Sequence, residues 1–121
     1  MSERLRGALA HQAGRLAEAQ VARHYAGRGL SLLATRWRGQ GGEIDLILAD
    51  GAGVVFVEVK RARDLEAAAL RLGPRQIARL QAAAEEFLGT RPAGLATPAR
   101  FDLALVDGQG RVRVIENALA G

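Results

Sequence analysis

Apolar positions fall into two rhythms along the chain. Leu9, Ala13, Leu16, Ala17, Val21 and Tyr25 recur near helical spacing in an alanine-rich stretch, which predicts a helix over about Leu9–Arg28, ended by Gly27 and Gly29. From Leu30 the rhythm changes. Leu30–Trp37 reads as a first strand and Gly39–Gly42 as a turn. Glu43–Ala49 and Val54–Lys60 then read as a hairpin around Asp50-Gly51-Ala52-Gly53. A short helical piece over Leu65–Leu72 stops at Gly73. Pro74 suits the first position of a further helix, to which Ile77, Leu80, Ala84, Phe87 and Leu88 give one apolar face. After a loop over Gly89–Pro98, Arg100–Val106 and Arg111–Glu116 form a last hairpin around Asp107-Gly108-Gln109-Gly110. The order α-β-β-β-α-β-β predicts an α/β fold, a mixed central sheet flanked by helices. Its 121 residues fit one domain spanning 1–121.

Composition narrows the class without naming a function. With 49% apolar and 25% charged residues the chain is composed like a globular domain rather than a disordered one. It has no cysteine, which excludes disulfides, thiolate zinc sites and cysteine nucleophiles. Residues 1–14 hold no apolar run of signal-peptide length, and nothing approaches the roughly 18 apolar residues of a membrane span, so a cytoplasmic protein with no membrane partner is expected. No Walker-type glycine loop supports nucleotide hydrolysis. The net charge of +4 favours polyanion partners weakly, since an arginine-, alanine- and glycine-rich chain also follows from genome base composition.

Against that arginine background, the single lysine among seventeen basic residues changes the picture. Lys60 ends the run Val54-Val55-Phe56-Val57-Glu58-Val59-Lys60, two residues after a glutamate. A turn centred on the Gly51–Ala52 bond pairs residues whose numbers sum to 103, which sets Asp45 opposite Glu58. Two carboxylates facing each other across a strand pair repel, and a divalent cation or a shared proton offsets that repulsion. Glu58 and Lys60 share one strand face with Phe56, and Glu43 shares the face of Asp45. Mg²⁺ or Mn²⁺ takes hard oxygen ligands, often only one or two carboxylates with water and substrate phosphate. Asp45 and Glu58 are therefore expected to hold metal, with the Val59 carbonyl as a further ligand and Lys60 assisting the nucleophile. An ordinary strand-end ion pair is the bland alternative for Glu58 and Lys60.

These residues resemble the core of the restriction-endonuclease-like superfamily, whose signature is Asp followed by (Asp/Glu)-x-Lys on adjacent strands. More closely, the chain resembles the bacterial YraN family, small uncharacterised proteins assigned to that fold. The resemblance runs through Glu18 with Ala22, Gly29, Arg36-Trp37-Arg38, Gly42-Glu43-Ile44-Asp45-Leu46-Ile47, Val55–Lys60, Pro74-Arg75-Gln76, Arg100-Phe101-Asp102 and Asn117-Ala118. It implies an αβββαβ core and a metal-dependent endonuclease acting on DNA, possible as a homodimer. It also implies a resolvase-like branch in which a first-helix glutamate, here Glu18, approaches the metal, and structured or branched DNA is the matching substrate. Gln76 resembles a polar residue that contacts the scissile region in relatives. Ile44 stands where the superfamily often has proline, and the segment after Arg63 lacks the polar, glycine-rich character expected of a substrate loop. The other class is a nucleic-acid-binding module that keeps the fold without cleavage, and a third is a protein-interaction domain with an ion-paired hairpin.

Arg61, Arg63, Arg75 and Arg79 could line a phosphate track for nucleic acid, since arginine forks suit phosphate oxygens. A solvated helix face accounts for them equally well. Trp37 fits a strand-end core position better than base stacking. His11 and His24 have no ligand spacing and read as surface or packing residues. For Asp102, buried hydrogen bonding and support of the site both remain open.

Overall fold

The structure is a computed structural model that describes residues 1–61 and 72–119. Its elements are helix α1 (Glu3–Ala26), strands β1 (Ser31–Arg38), β2 (Glu43–Asp50) and β3 (Gly53–Arg61), helix α2 (Pro74–Leu88), a 3-10 turn (Gly94–Ala96), and strands β4 (Ala99–Val106) and β5 (Val112–Ile115). The strands lie in the order β1-β2-β3-β4-β5. Neighbours are antiparallel except β3 and β4, which run parallel across the α2 crossover. This is the expected mixed sheet with helices on its faces. The expected helical piece over Leu65–Leu72 lies outside the described residues but for Leu72.

β3 is central, and each of its faces is covered by a helix. On one face Ala17, Val21 and Tyr25 of α1 pack against Leu46, Leu48, Val55, Val57, Ala104 and Val106. On the other, Leu80, Ala83, Ala84, Phe87 and Leu88 of α2 pack against Ile44, Ile47, Val54 and Phe56. A strand buried on both faces loses polar alternation, which is why Val54–Val57 reads as a continuous apolar run. Each large aliphatic or aromatic side chain so buried contributes about 1.5–3 kcal/mol. Trp37 also belongs here, edge-on to Phe87 with centroids 5.6 Å apart, and is a packing residue.

α1 departs from its expected bounds. It starts at Glu3 because Ser2 caps it, the Ser2 hydroxyl oxygen accepting from the Leu5 N–H at 3.1 Å. Its early turns rest on capping and alanine propensity, not on burial. Leu9 and Leu16, assigned above to the apolar spacing, are 46% and 60% exposed, and only Ala17, Val21 and Tyr25 are buried. No described helix is long and apolar enough to cross a membrane.

Two devices hold the layers in register. Asp102, buried on β4, accepts from the Tyr25 hydroxyl at 2.7 Å, from Arg100 Nε at 3.1 Å and from the Asn117 N–H at 3.0 Å. It is the buried hydrogen-bonding carboxylate of the two possibilities above, tying α1 and the C-terminal turn to the sheet. Burial, then the bond to Asp102, raises the Tyr25 phenol well above its ordinary range. On the opposite face, Glu86 of α2 accepts from the Gln40 and Gly41 N–H groups at 3.0 and 3.3 Å. Glycines let the turn come this close. A Cβ on Gly42 would stand 2.9 Å from the Arg79 carbonyl oxygen, and one on Gly41 2.7 Å from the Ala82 Cβ.

Candidate active site

The hairpin that presents Asp45 and Glu58 takes the register its turn implies. β2 and β3 pair from Asp50 with Gly53 to Leu46 with Val57, numbers summing to 103 throughout. The next step would oppose Asp45 and Glu58. There the backbone ladder gives way, and Asp45 Oδ2 accepts from the Val59 N–H at 2.8 Å in place of a carbonyl. The local cause is visible in the packing. Ile44 and Ile47, three residues apart, both enter the α2-side core, so alternation breaks between them, beside Asp45.

Glu58 is 7% exposed, and Gln76, in the first turn of α2, donates from Nε2 to its Oε2 at 2.5 Å. Burial pushes the Glu58 carboxyl up to about 8, with hydrogen bonding and charge from Asp45 adding to the effect. The charge of Lys60 and the bond from Gln76 pull the other way. At neutral pH the pair therefore retains a proton. Bringing two carboxylates this close without a counter-charge is unfavourable, and a proton or a cation is what relieves it.

Asp45, Val59 and Lys60 face two hollows, one on each side of the sheet. On the α2 side they are joined by Glu43, Glu58, Gln76 and Arg79. On the α1 side they are joined by Gly14, Glu18 and Arg61. Glu18 is raised above its ordinary value, first by burial and next by the charge of Asp45; Arg36 opposes this, its Nη1 lying 2.6 Å from Glu18 Oε1. Glu43 is paired with Arg38 at 2.9 Å at the rim.

Of the residues singled out from the sequence, Asp45, Glu58, Val59, Lys60 and Gln76 come together. Glu18 shares a hollow with Asp45 and Lys60 but is engaged by Arg36. Arg61 lines the α1-side hollow, and its Nη2 donates to the Ala10 carbonyl at 3.5 Å. Arg79 lines the α2-side hollow, and Arg75 is exposed on the same helix. Arg63 lies outside the described residues. His11 is exposed, and His24 packs edge-on to Tyr25 at 5.9 Å, away from any ligand set.

The donor set fits a hard divalent cation. Two carboxyl groups, one of them kept protonated by burial and by its neighbour, offer oxygen ligands, and a cation can replace that proton. Among the described residues no group of three or more His, Asp or Glu side chains is gathered for a metal.

Sequence reasoning missed the role of Glu86 and of Arg36. The signal for the first was the glycine-rich Gly39-Gln40-Gly41-Gly42 turn, which marks a close approach of backbone. Nothing local marks the second, since its backbone conformation is unusual for arginine.

Comparison with known proteins places these residues in a family. The model of the uncharacterised protein family UPF0102 matches residues 17–106, from just before Glu18 to the end of β4. A UPF0102 protein of Ruegeria pomeroyi is 57% identical over 93% of this chain and 92% of its own length. UPF0102 proteins of Cereibacter sphaeroides and Roseobacter denitrificans are 53% and 52% identical over 94% of this chain, covering 97% and 88% of their own lengths.

Proposed function

The chain belongs to the uncharacterised protein family UPF0102, the YraN family, and from its own residues we propose that it is a divalent-metal-dependent endonuclease hydrolysing phosphodiester bonds in DNA. The observation that carries this reading is the buried Glu58 carboxyl set against Asp45 beside the single lysine of the chain. A strand pair bears that unfavourable contact at a cost to stability, and a site for a cation is the function that explains it.

Asp45 and Glu58 would hold Mg²⁺ or Mn²⁺, with the Val59 carbonyl as a further oxygen donor and Glu18 acting on the cation's water from the α1 side. When bound, the cation supplies a nucleophile from water near neutral pH and offsets the charge that grows on the phosphate. The chain's own groups divide the remaining work. The Val59 N–H fixes Asp45 Oδ2, and Gln76 fixes Glu58 Oε2, so neither carboxylate has to be ordered at the moment of reaction. Lys60 sets a compact positive charge beside the pair, suited to orienting the attacking water and to the developing oxyanion. Arg61 on one side and Arg75 and Arg79 on the other offer guanidinium forks to neighbouring phosphates. The net charge of +4 favours the approach of a polyanion. Structured or branched DNA is the substrate class that Glu18 suggests by its resolvase-like position; a homodimer and a cytoplasmic setting belong to the same reading.

Calorimetric titration of Mn²⁺ into the wild type beside Asp45→Asn tests the site, followed by cleavage of branched, single-stranded and duplex DNA beside Lys60→Ala. Saturable binding lost in Asp45→Asn is expected, with metal-dependent cleavage that Lys60→Ala abolishes while DNA binding persists. DNA binding without metal uptake or cleavage would instead make the chain a docking module that keeps the nuclease fold.

A further inference from the structure

Arg36 has a left-handed backbone, φ 45°, inside strand β1. Its neighbours Thr35 and Trp37 pair with Leu46 and Ile44, so the same register sets Arg36 opposite Asp45. Among the described residues the other non-glycine with positive φ is Asn117, at 54°. Asparagine tolerates that region, whereas a long side chain there is strained and needs surroundings that hold it. Among the described residues Arg36 is held by the 2.6 Å bond from Nη1 to Glu18 Oε1, with the Glu18 side chain only 14% exposed. Glu18 in turn lines the α1-side hollow with Asp45 and Lys60. Backbone strain, an ion pair with its carboxylate half-buried, and the wall of the site thus meet at a single arginine.

We propose that Arg36 is a positioning residue: its left-handed backbone aims the guanidinium at Glu18 and holds that carboxylate in the wall it shares with Asp45 and Lys60, from which it would act through water on a cation held by Asp45. This rests on the metal-dependent reading above and adds to it the residue that orders the outer carboxylate. A group that orients a ligand or its water from outside the first layer commonly changes metal affinity when removed.

Arg36→Gly separates this role from a purely structural one, because glycine accepts the positive φ without strain while losing the guanidinium. The melting temperature of Arg36→Gly should equal or exceed that of the wild type, while Mn²⁺ affinity falls by about tenfold or more. Arg36→Lys, which keeps the charge but not the fork, should recover part of the affinity. Glu18→Gln should lower affinity by a similar factor, and Arg36→Gly should add little in the Glu18→Gln background. Full Mn²⁺ affinity in Arg36→Gly, or additive losses in the double variant, would overturn the assignment while leaving the metal site intact. A wild type that takes up no Mn²⁺ would overturn the metal reading itself, and this assignment with it.

Discussion

Gln76 Nε2 stands 2.5 Å from Glu58 Oε2, which ties the first turn of α2 to the polar end of the central strand. One side-chain amide thus joins the crossover helix to a buried carboxyl whose other neighbour is Asp45. Gln76→Ala leaves Glu58 without this donor, and a cost of about 1–3 kcal/mol in urea unfolding is expected. Because the Gln76 bond lowers the Glu58 pKa, its loss should also raise that value further, readable by carboxyl NMR titration. An unchanged titration would show that the bond does not act on Glu58 in solution.

The raised Glu58 value makes metal-free stability depend on pH. The folded carboxyl titrates near 8 and the unfolded one near 4.5, so between these values the folded state holds the extra proton. Stability from this group is full below 4.5 and is lost as pH rises through about 8, with a limiting slope of about 1.4 kcal/mol per pH unit. Glu58→Gln should remove this slope and be the more stable protein at pH 8. Parallel pH profiles for wild type and variant in chelator would refute the shift.

A cation and that proton compete for the same oxygens. Mn²⁺ affinity of the wild type should therefore climb between pH 6 and pH 8, with proton release on binding that calorimetry in buffers of different ionisation enthalpy detects. Asp45→Asn keeps an acceptor for the Val59 N–H, so it should remain folded while losing this affinity. Binding that ignores pH across this range would place the metal elsewhere.

Tyr25→Phe removes one donor from buried Asp102 and leaves Arg100 and the Asn117 N–H in place. A loss of about 1–2 kcal/mol is expected. Asp102→Ala strands the Tyr25 hydroxyl, the Asn117 N–H and the guanidinium together and should cost about 3–5 kcal/mol. Mn²⁺ affinity per folded molecule should not change in Tyr25→Phe, since the network supports the layers and lies outside the carboxylate pair.

Gly42→Ala drives a methyl to 2.9 Å from the Arg79 carbonyl oxygen, so the turn before β2 must move off α2. A destabilisation of about 1–3 kcal/mol by thermal melting is expected. Gly51→Ala meets no atom within 4 Å, and its penalty comes from the φ of 59° alone. The two variants separate close packing from backbone conformation as causes.

By itself the sequence determined what depends on neighbours along the chain. A two-residue turn between apolar runs sets the β2–β3 register, so the approach of Asp45 to Glu58 is legible in the turn residues and their spacing. Proline at its start and one apolar stripe marked α2, and a doubly apolar run marked β3 as central. The single lysine pointed to the strand on which Glu58 lies against Asp45.

Tertiary structure decided what depends on contacts between distant segments. Leu9 and Leu16 of α1 fit helical spacing as Ala17, Val21 and Tyr25 do, so spacing alone could not tell that the last three face inward while the two leucines face water. The parallel pairing of β3 with β4 joins residues more than forty positions apart, and no turn chemistry encodes it. Gln76 meets Glu58, Glu86 meets the glycine turn and Arg36 meets Glu18 only because two helices are clamped to opposite faces of one sheet. Hydrogen bonds and ion pairs between such segments have no periodic trace in sequence, because their geometry exists only once the apolar faces have packed.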